Sequence, residues 1–266
     1  MRIILKGSAL QSVVNSIERR RLAWVMRPLT AMTAVIMVAA SSAYAGSFDV
    51  NPIRVELTPQ SRTATVSVRN SGSDPVVVQI SVEAWSQSGG KDVLTATNEM
   101  IVSPPIVTIP AGQEQIVRLG LRRAPDPKQE LSYRLFLQEV PPPPRPGFQG
   151  LVVALRVGLP IFVQPRQGTA KANLVWKLDL AQPDLLKVKL DNNGTGHIQV
   201  ATIELYRATD KEAVADFSGL AYVLPGQSRD WDLKLRNPAV KRGERLRMKV
   251  STDAGSIETE VELGGT

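Results

Sequence analysis

The chain holds one histidine and no cysteine in 266 residues. That bounds its chemistry at once. Thiol nucleophiles, disulfides and cysteine metal sites are excluded, and neither a His-rich metal site nor a Cys–His pair can form. A Ser-His-Asp triad would have to use His197. Its surroundings, Asn192-Asn193-Gly194-Thr195-Gly196-His197, read instead as turn chemistry between Leu190 and Ile198. No helix follows those glycines, so they do not form a nucleotide loop. A carboxylate pair for glycoside chemistry is compatible with the composition, but nothing in the sequence marks one. The expectation is a protein that is not an enzyme and needs no metal or cofactor.

The elements that must position any binding residue read as β-strands. Ser47–Val50 and Ile53–Leu57 alternate, as does Thr63–Val68 with Val66 and Val68 inward. Asn70-Ser71-Gly72-Ser73-Asp74-Pro75 turns into Val76–Trp85, with Val78, Ile80, Val82 and Ala84 on one face. Ile101–Ile109 contains Ser103-Pro104-Pro105, and Pro110-Ala111-Gly112-Gln113 turns into Glu114–Leu121. Leu131, Tyr133, Leu135 and Leu137 share a face in Leu131–Val140. Short period-two strands with frequent turn signals predict an all-β sandwich. Past Pro165-Arg166-Gln167-Gly168 the pattern resumes in Asn173–Leu180, Leu185–Asp191, Gln199–Tyr206, Leu220–Leu224, Asp230–Leu235, Leu246–Thr252 and a last alternation from Ile257 to Leu263. The division expected is a leader of residues 1–45, a first sandwich of 46–165 and a second of 166–266.

The leader reads as a secretory signal. A basic Met26-Arg27, an apolar small-residue run Leu29–Ala40 and Ala43-Tyr44-Ala45 predict cleavage before Gly46. The run is short and Ala-rich for a membrane span, which makes an uncleaved anchor the weaker reading. Met26 is an alternative start, and Arg19-Arg20-Arg21 matches a twin-arginine signal only weakly. Six of the 32 Lys/Arg and one of the 25 Asp/Glu fall in residues 1–45, leaving 26 and 24. The formal +7 of the whole chain is thus about +2 after the leader, poor support for nucleic-acid binding.

One stretch is far more apolar than the rest. Gly150-Leu151-Val152-Val153-Ala154-Leu155-Arg156-Val157-Gly158-Leu159-Pro160-Ile161-Phe162-Val163-Gln164-Pro165 follows a run of prolines. Leu151, Val153, Leu155 and Val157 share one face by the two-residue period. The opposite face, with Val152, Ala154, Arg156 and Gly158, is smaller and more mixed. Such a row fits an ordinary core strand, and it equally fits a strand offered to a partner's groove. Four side chains at ~1.5–3 kcal/mol each could contribute roughly 6–12 kcal/mol on full burial, before ordering costs.

Taken together, Phe48-Asp49-Val50-Asn51-Pro52-Ile53-Arg54-Val55, Ser103-Pro104-Pro105, Ile109–Gln113, Val117-Arg118-Leu119, Glu130–Pro142 and the apolar strand resemble the periplasmic pilus-assembly chaperones, the PapD-like family of chaperone–usher systems. The resemblance covers residues 47–165 strongly. It reaches more weakly into the second domain through Gly219–Gly226. It implies two immunoglobulin-like β-sandwich domains in an L or boomerang arrangement. It implies a periplasmic, ATP-independent chaperone that captures pilin subunits by donor-strand complementation and delivers them to an outer-membrane usher. Leu151, Val153, Leu155 and Val157 would be the donor row.

In the family a basic pair anchors the pilin's C-terminal carboxylate. Arg54 matches its first member, and a guanidinium grips a carboxylate bidentately. The second member is a Lys whose place here holds Pro160, so another base, Arg134 or Arg156, serves, or Arg54 acts alone. Gln164 stands where the family often has an Arg in an interdomain salt bridge, and Glu139 keeps a plausible partner position. These departures look closer to the branch that serves spore-coat-U-like pili. Partners implied are pilins, an usher and, when unloaded, a second copy of the chain; nucleic acid and membrane insertion are not expected. The competing readings are an exported two-domain structural or adhesive protein and an unrecognised hydrolase.

Overall fold

A computed structural model describes residues 48–143, 153–208, 210–236 and 240–264. Every regular element among them is a strand, in agreement with the all-β expectation. The leader, its cleavage point and Leu151 lie outside the described residues.

The first sandwich contains β1 (Phe48–Asn51), β2 (Val55–Leu57), β3 (Thr63–Asn70), β4 (Val76–Ser88), β5 (Lys91–Ala96), β6 (Met100–Ser103), β7 (Ile106–Ile109), β8 (Glu114–Leu121), β9 (Leu131–Val140) and β10 (Arg156–Val163). One sheet runs β1-β3-β8-β6 and the other β2-β10-β9-β4-β5, with β7 also on β4. Alternation does the sorting. Val66 and Val68 from one sheet, and Val78, Ile80, Tyr133, Leu135, Leu137, Leu159 and Ile161 from the other, are buried in one core.

Two apparent single strands divide between the sheets. Ile53–Leu57 becomes a strand only from Val55, because the chain crosses from the β1 sheet to the β2 sheet through Pro52-Ile53-Arg54. Ile101–Ile109 splits into β6 and β7 at Pro104-Pro105, which lack the N–H groups a continuous ladder needs. β5 is a strand that alternation does not reveal, since all six of its residues are exposed. Its signal is Gly89-Gly90, both at positive φ (57° and 74°), the conformation of a tight hairpin turn.

The second sandwich contains β11 (Leu174–Gln182), β12 (Leu185–Asn192), β13 (Ile198–Arg207), β14 (Ala215–Val223), β15 (Ser228–Lys234), β16 (Arg245–Thr252) and β17 (Gly255–Glu262). Its sheets run β11-β12-β15 and β14-β13-β16-β17. Leu186, Val188, Leu190, Ile203, Leu205, Trp231, Met248 and Val250 fill a separate core.

Both sandwiches carry the same corner. Asn70, at the end of β3, donates from its side chain to Asp74 O and Ile109 O and accepts from Gly72 N. Asn192, at the end of β12, donates to Gly196 O and Val223 O and accepts from Asn173 N and Gly194 N. Gly112 N and Gly226 N donate to the backbone oxygens of these two asparagines. The Pro110–Gln113 and Leu224–Gln227 turns are thus held in the same way, and each fully buried amide is satisfied.

Candidate functional site

The apolar stretch is divided by its pairing. β10 runs antiparallel to β9 from Arg156 to Val163. Its other edge is paired, parallel to β2, only at Ile161, Phe162 and Val163. Among the described residues, Arg156 to Pro160 therefore present an unpaired strand edge. Leu159, Ile161 and Val163 point into the first core. Val157 packs partly against that core, Leu155 is half-buried, and Val153 is 48% exposed. The row thus emerges progressively from the protein toward its N-terminal end. Glu139 fixes the emerging segment: its N–H donates to Leu155 O at 2.8 Å and its carboxylate accepts from Leu155 N at 3.1 Å.

The free edge ends at two arginines. Arg134 on β9 stands opposite Pro160 on β10. Arg54 immediately precedes Val55, whose partner is Ile161, so by parallel register it flanks Pro160 on the other side. The Arg134 guanidinium lies 3.9 Å above the Trp85 ring and 5.6 Å from that of Tyr222. Arg54 lies 5.7 Å from the same Tyr222 ring. Burial pushes the Arg134 pKa down, only partly offset by Asp92 and Tyr222, and no ion pair or hydrogen bond engages it among the described residues. Arg156 faces elsewhere, 4.0 Å above Phe136 and 3.7 Å from Glu83.

Arg54 is held by the second sandwich. It donates to Asp253 Oδ2 at 2.8 Å, to Gln199 Oε1 at 2.8 Å and to Tyr222 Oη at 3.2 Å. Burial weakens its charge, but the bonds to Tyr222 and Asp253 outweigh that and raise its pKa. Asp253 also accepts from Gln199 N. Burial pushes its carboxyl up, and His197, Gln199 N–H and Arg54 overcome that and bring it down to about 2.

His197 belongs to this boundary, which its turn-like sequence did not reveal. Glu130 N donates to Thr195 O, while His197 N donates to Glu130 Oε1 at 3.2 Å. The imidazole Nδ1 lies 2.7 Å from the same oxygen, and its ring stacks on Phe162 at 3.4 Å and 7°. Gly194 makes this loop possible: a Cβ there would sit 2.2 Å from Lys171 O. Around the stack, Trp85, Phe162, Leu224 and Tyr222 form a small apolar cluster joining the sandwiches. Gln87 spans the same boundary, donating to Tyr222 O and accepting from Leu224 N. Gln164 instead ties the end of β10 to the linker, accepting from Ala170 N at 3.2 Å, and the described bonds of Glu139 stay within its own sandwich.

Residues 47–169 match the profile of the pili and flagellar-assembly chaperone, PapD N-terminal domain. No curated protein matches the chain. Solved structures do. A chain of the CsuC–CsuE chaperone–tip adhesion subunit pre-assembly complex, from the archaic chaperone–usher Csu pili of Acinetobacter baumannii, is 21% identical with a TM-score of 0.62; the match covers 82% of this chain and 100% of that one. A chain of the Salmonella enterica SafA pilin–SafB chaperone complex is 22% identical with a TM-score of 0.57, over 84% and 99%. The Pseudomonas aeruginosa CupB2 chaperone is 20% identical with a TM-score of 0.53, over 81% and 100%. At these identities the structures establish a shared two-sandwich fold, and the profile match identifies the first sandwich. Residues 47–169 are a PapD N-terminal domain of the pili and flagellar-assembly chaperone type, and the chain shares the two-sandwich fold of solved pilus chaperones.

Proposed function

We propose that the chain is a periplasmic chaperone that captures pilin subunits by lending them the emerging edge of β10. The carrying observation is the free edge from Arg156 to Pro160, continuous with exposed Val153 and ending at Arg54 and Arg134. An incomplete sandwich pairs its own edges with such a strand and takes Val153, Leu155 and Val157, with Leu151 before them, into its groove. The subunit's terminal carboxylate then meets the two guanidiniums, which bind carboxylates through charge-assisted bonds.

This reading assigns the second anchor. Arg134 replaces the lysine missing at Pro160, because it borders that residue and no ion pair or hydrogen bond holds its guanidinium among the described residues. Arg156 is committed to Phe136 and Glu83. Delivery to an outer-membrane usher follows from the same reading, as does transient capping of an open edge by a second copy, since an exposed edge is an aggregation liability. The sandwich pair of the SafA–SafB and CsuC–CsuE relatives supports this reading over an adhesive module. Co-expression with a pilin from the same chaperone–usher system should give a soluble one-to-one complex; a pilin equally soluble without this chain would refute the proposal.

A further inference from the structure

Beside Arg54, the single histidine sits between carboxylates of the two sandwiches. Glu130 belongs to the first sandwich and its side chain is 1% exposed; Asp253 belongs to the second. Between them His197, itself 10% exposed, directs Nδ1 at Glu130 Oε1 (2.7 Å) and Nε2 at Asp253 Oδ2 (3.5 Å). A neutral imidazole has one N–H and one lone pair, so it can serve only one of two carboxylates. Only the imidazolium donates to both.

The other groups around the ring agree. Phe162 covers one face, Tyr222 is tilted 5.8 Å away, and Arg54, which shares Asp253 with the imidazole, is spent on Asp253, Gln199 and Tyr222. Gln164 is neutral and bonded to Ala170. No other base reaches Glu130 among the described residues.

We propose that protonated His197 is an interdomain latch, so that docking of the two sandwiches, and with it the pose of Arg54, is proton-linked. Loss of the proton leaves Glu130 buried against an imidazole and turns a lone pair toward one carboxylate. Asp253 then keeps Arg54, its direct bond to the first sandwich, and Gln199, but the second path, through His197 to Glu130, is weakened. Burial pushes the His197 pKa down, and the bonds and charges of Asp253 and Glu130 outweigh it and raise it above the ordinary value. A group raised on folding stabilises below its unfolded pKa, about 6.5, and loses that contribution as pH rises through its folded pKa. Each unit of elevation corresponds to a tenfold preference of the proton for the docked state. The inference does not depend on what β10 captures.

One histidine makes the test direct. In the mature, untagged protein, the only imidazole signals in an NMR pH titration belong to His197. Their midpoint should lie above the ordinary histidine value and fall in Glu130→Gln and in Asp253→Asn. Small-angle scattering should show the wild type loosening as pH rises through that midpoint. His197→Gln should be loose and pH-independent, and His197→Arg, a permanent cation, should stay docked across the range. The proposal is overturned if the imidazole titrates at or below its ordinary value, or if wild type and His197→Gln show the same scattering and the same pH dependence of unfolding.

Discussion

Arg134 stands directly across the sheet from Pro160, with its guanidinium laid on the Trp85 ring. The strand that lacks a basic residue at this point is therefore adjoined by one from its neighbour. Arg134→Ala should weaken pilin capture by about 2–5 kcal/mol, the cost of leaving a buried carboxylate unpaired. Arg134→Lys should recover part of that, since Lys keeps the charge but not the planar fork. Because no described ion pair depends on Arg134, thermal stability of the free protein should change by far less. Equal capture by wild type and Arg134→Ala, measured by calorimetry with a purified pilin, would move the second anchor elsewhere.

Arg54 should behave differently, because it has partners in the free protein. Arg54→Ala would remove the proposed grip on the incoming carboxylate, and it also takes one partner from Asp253 and leaves Gln199 Oε1 without its donor. Capture should fall by about 2–5 kcal/mol on the same scale, and the free protein should lose stability as well. An affinity loss below ~0.5 kcal/mol, the scale of an exposed pair, would show that the carboxylate binds elsewhere.

The sequence made the strands and their faces legible because both sandwiches bury one face of each strand. Val66, Val68, Leu135 and Leu137 are at zero exposure where alternation places them. It could not distinguish one strand from two strands in opposite sheets, as in Ile101–Ile109, because both halves alternate alike. It could not expose β5, whose residues face solvent throughout. The boundary network was least legible. Arg54, Glu130, His197, Asp253 and Tyr222 come from five separate segments, and only the fold of both domains brings them together. His197 reads as turn chemistry since its loop is a turn; its ionic role arises from what the turn docks against.

The division of the apolar stretch into an emerging segment and the buried end of β10 predicts two opposite phenotypes. Val153→Asp and Leu155→Asp alter side chains outside the closed core, so unfolding should change little while capture is abolished, a charge being forced into a dry groove. Ile161→Ala should do the reverse. Ile161 is fully buried in the first core, and its truncation should cost about 2–5 kcal/mol of stability. If both aspartate variants still keep a pilin soluble, the donor face is misassigned.

Gln87 offers a test of the neutral part of the domain boundary. Its amide donates to Tyr222 O at 2.9 Å and its oxygen accepts from Leu224 N at 3.0 Å, in a position almost fully buried. Gln87→Leu fills the space but leaves Leu224 N without its partner and removes one of two side-chain donors to Tyr222 O. Each unsatisfied buried group costs about 1–3 kcal/mol. Chemical denaturation should therefore show a lower midpoint, and limited proteolysis should open the linker around residues 166–169 faster. Because Gln87 carries no charge, that loss should be the same at every pH between 5 and 8, in contrast to the His197 contribution. A loss that tracks pH would instead show that Gln87 acts through the histidine network.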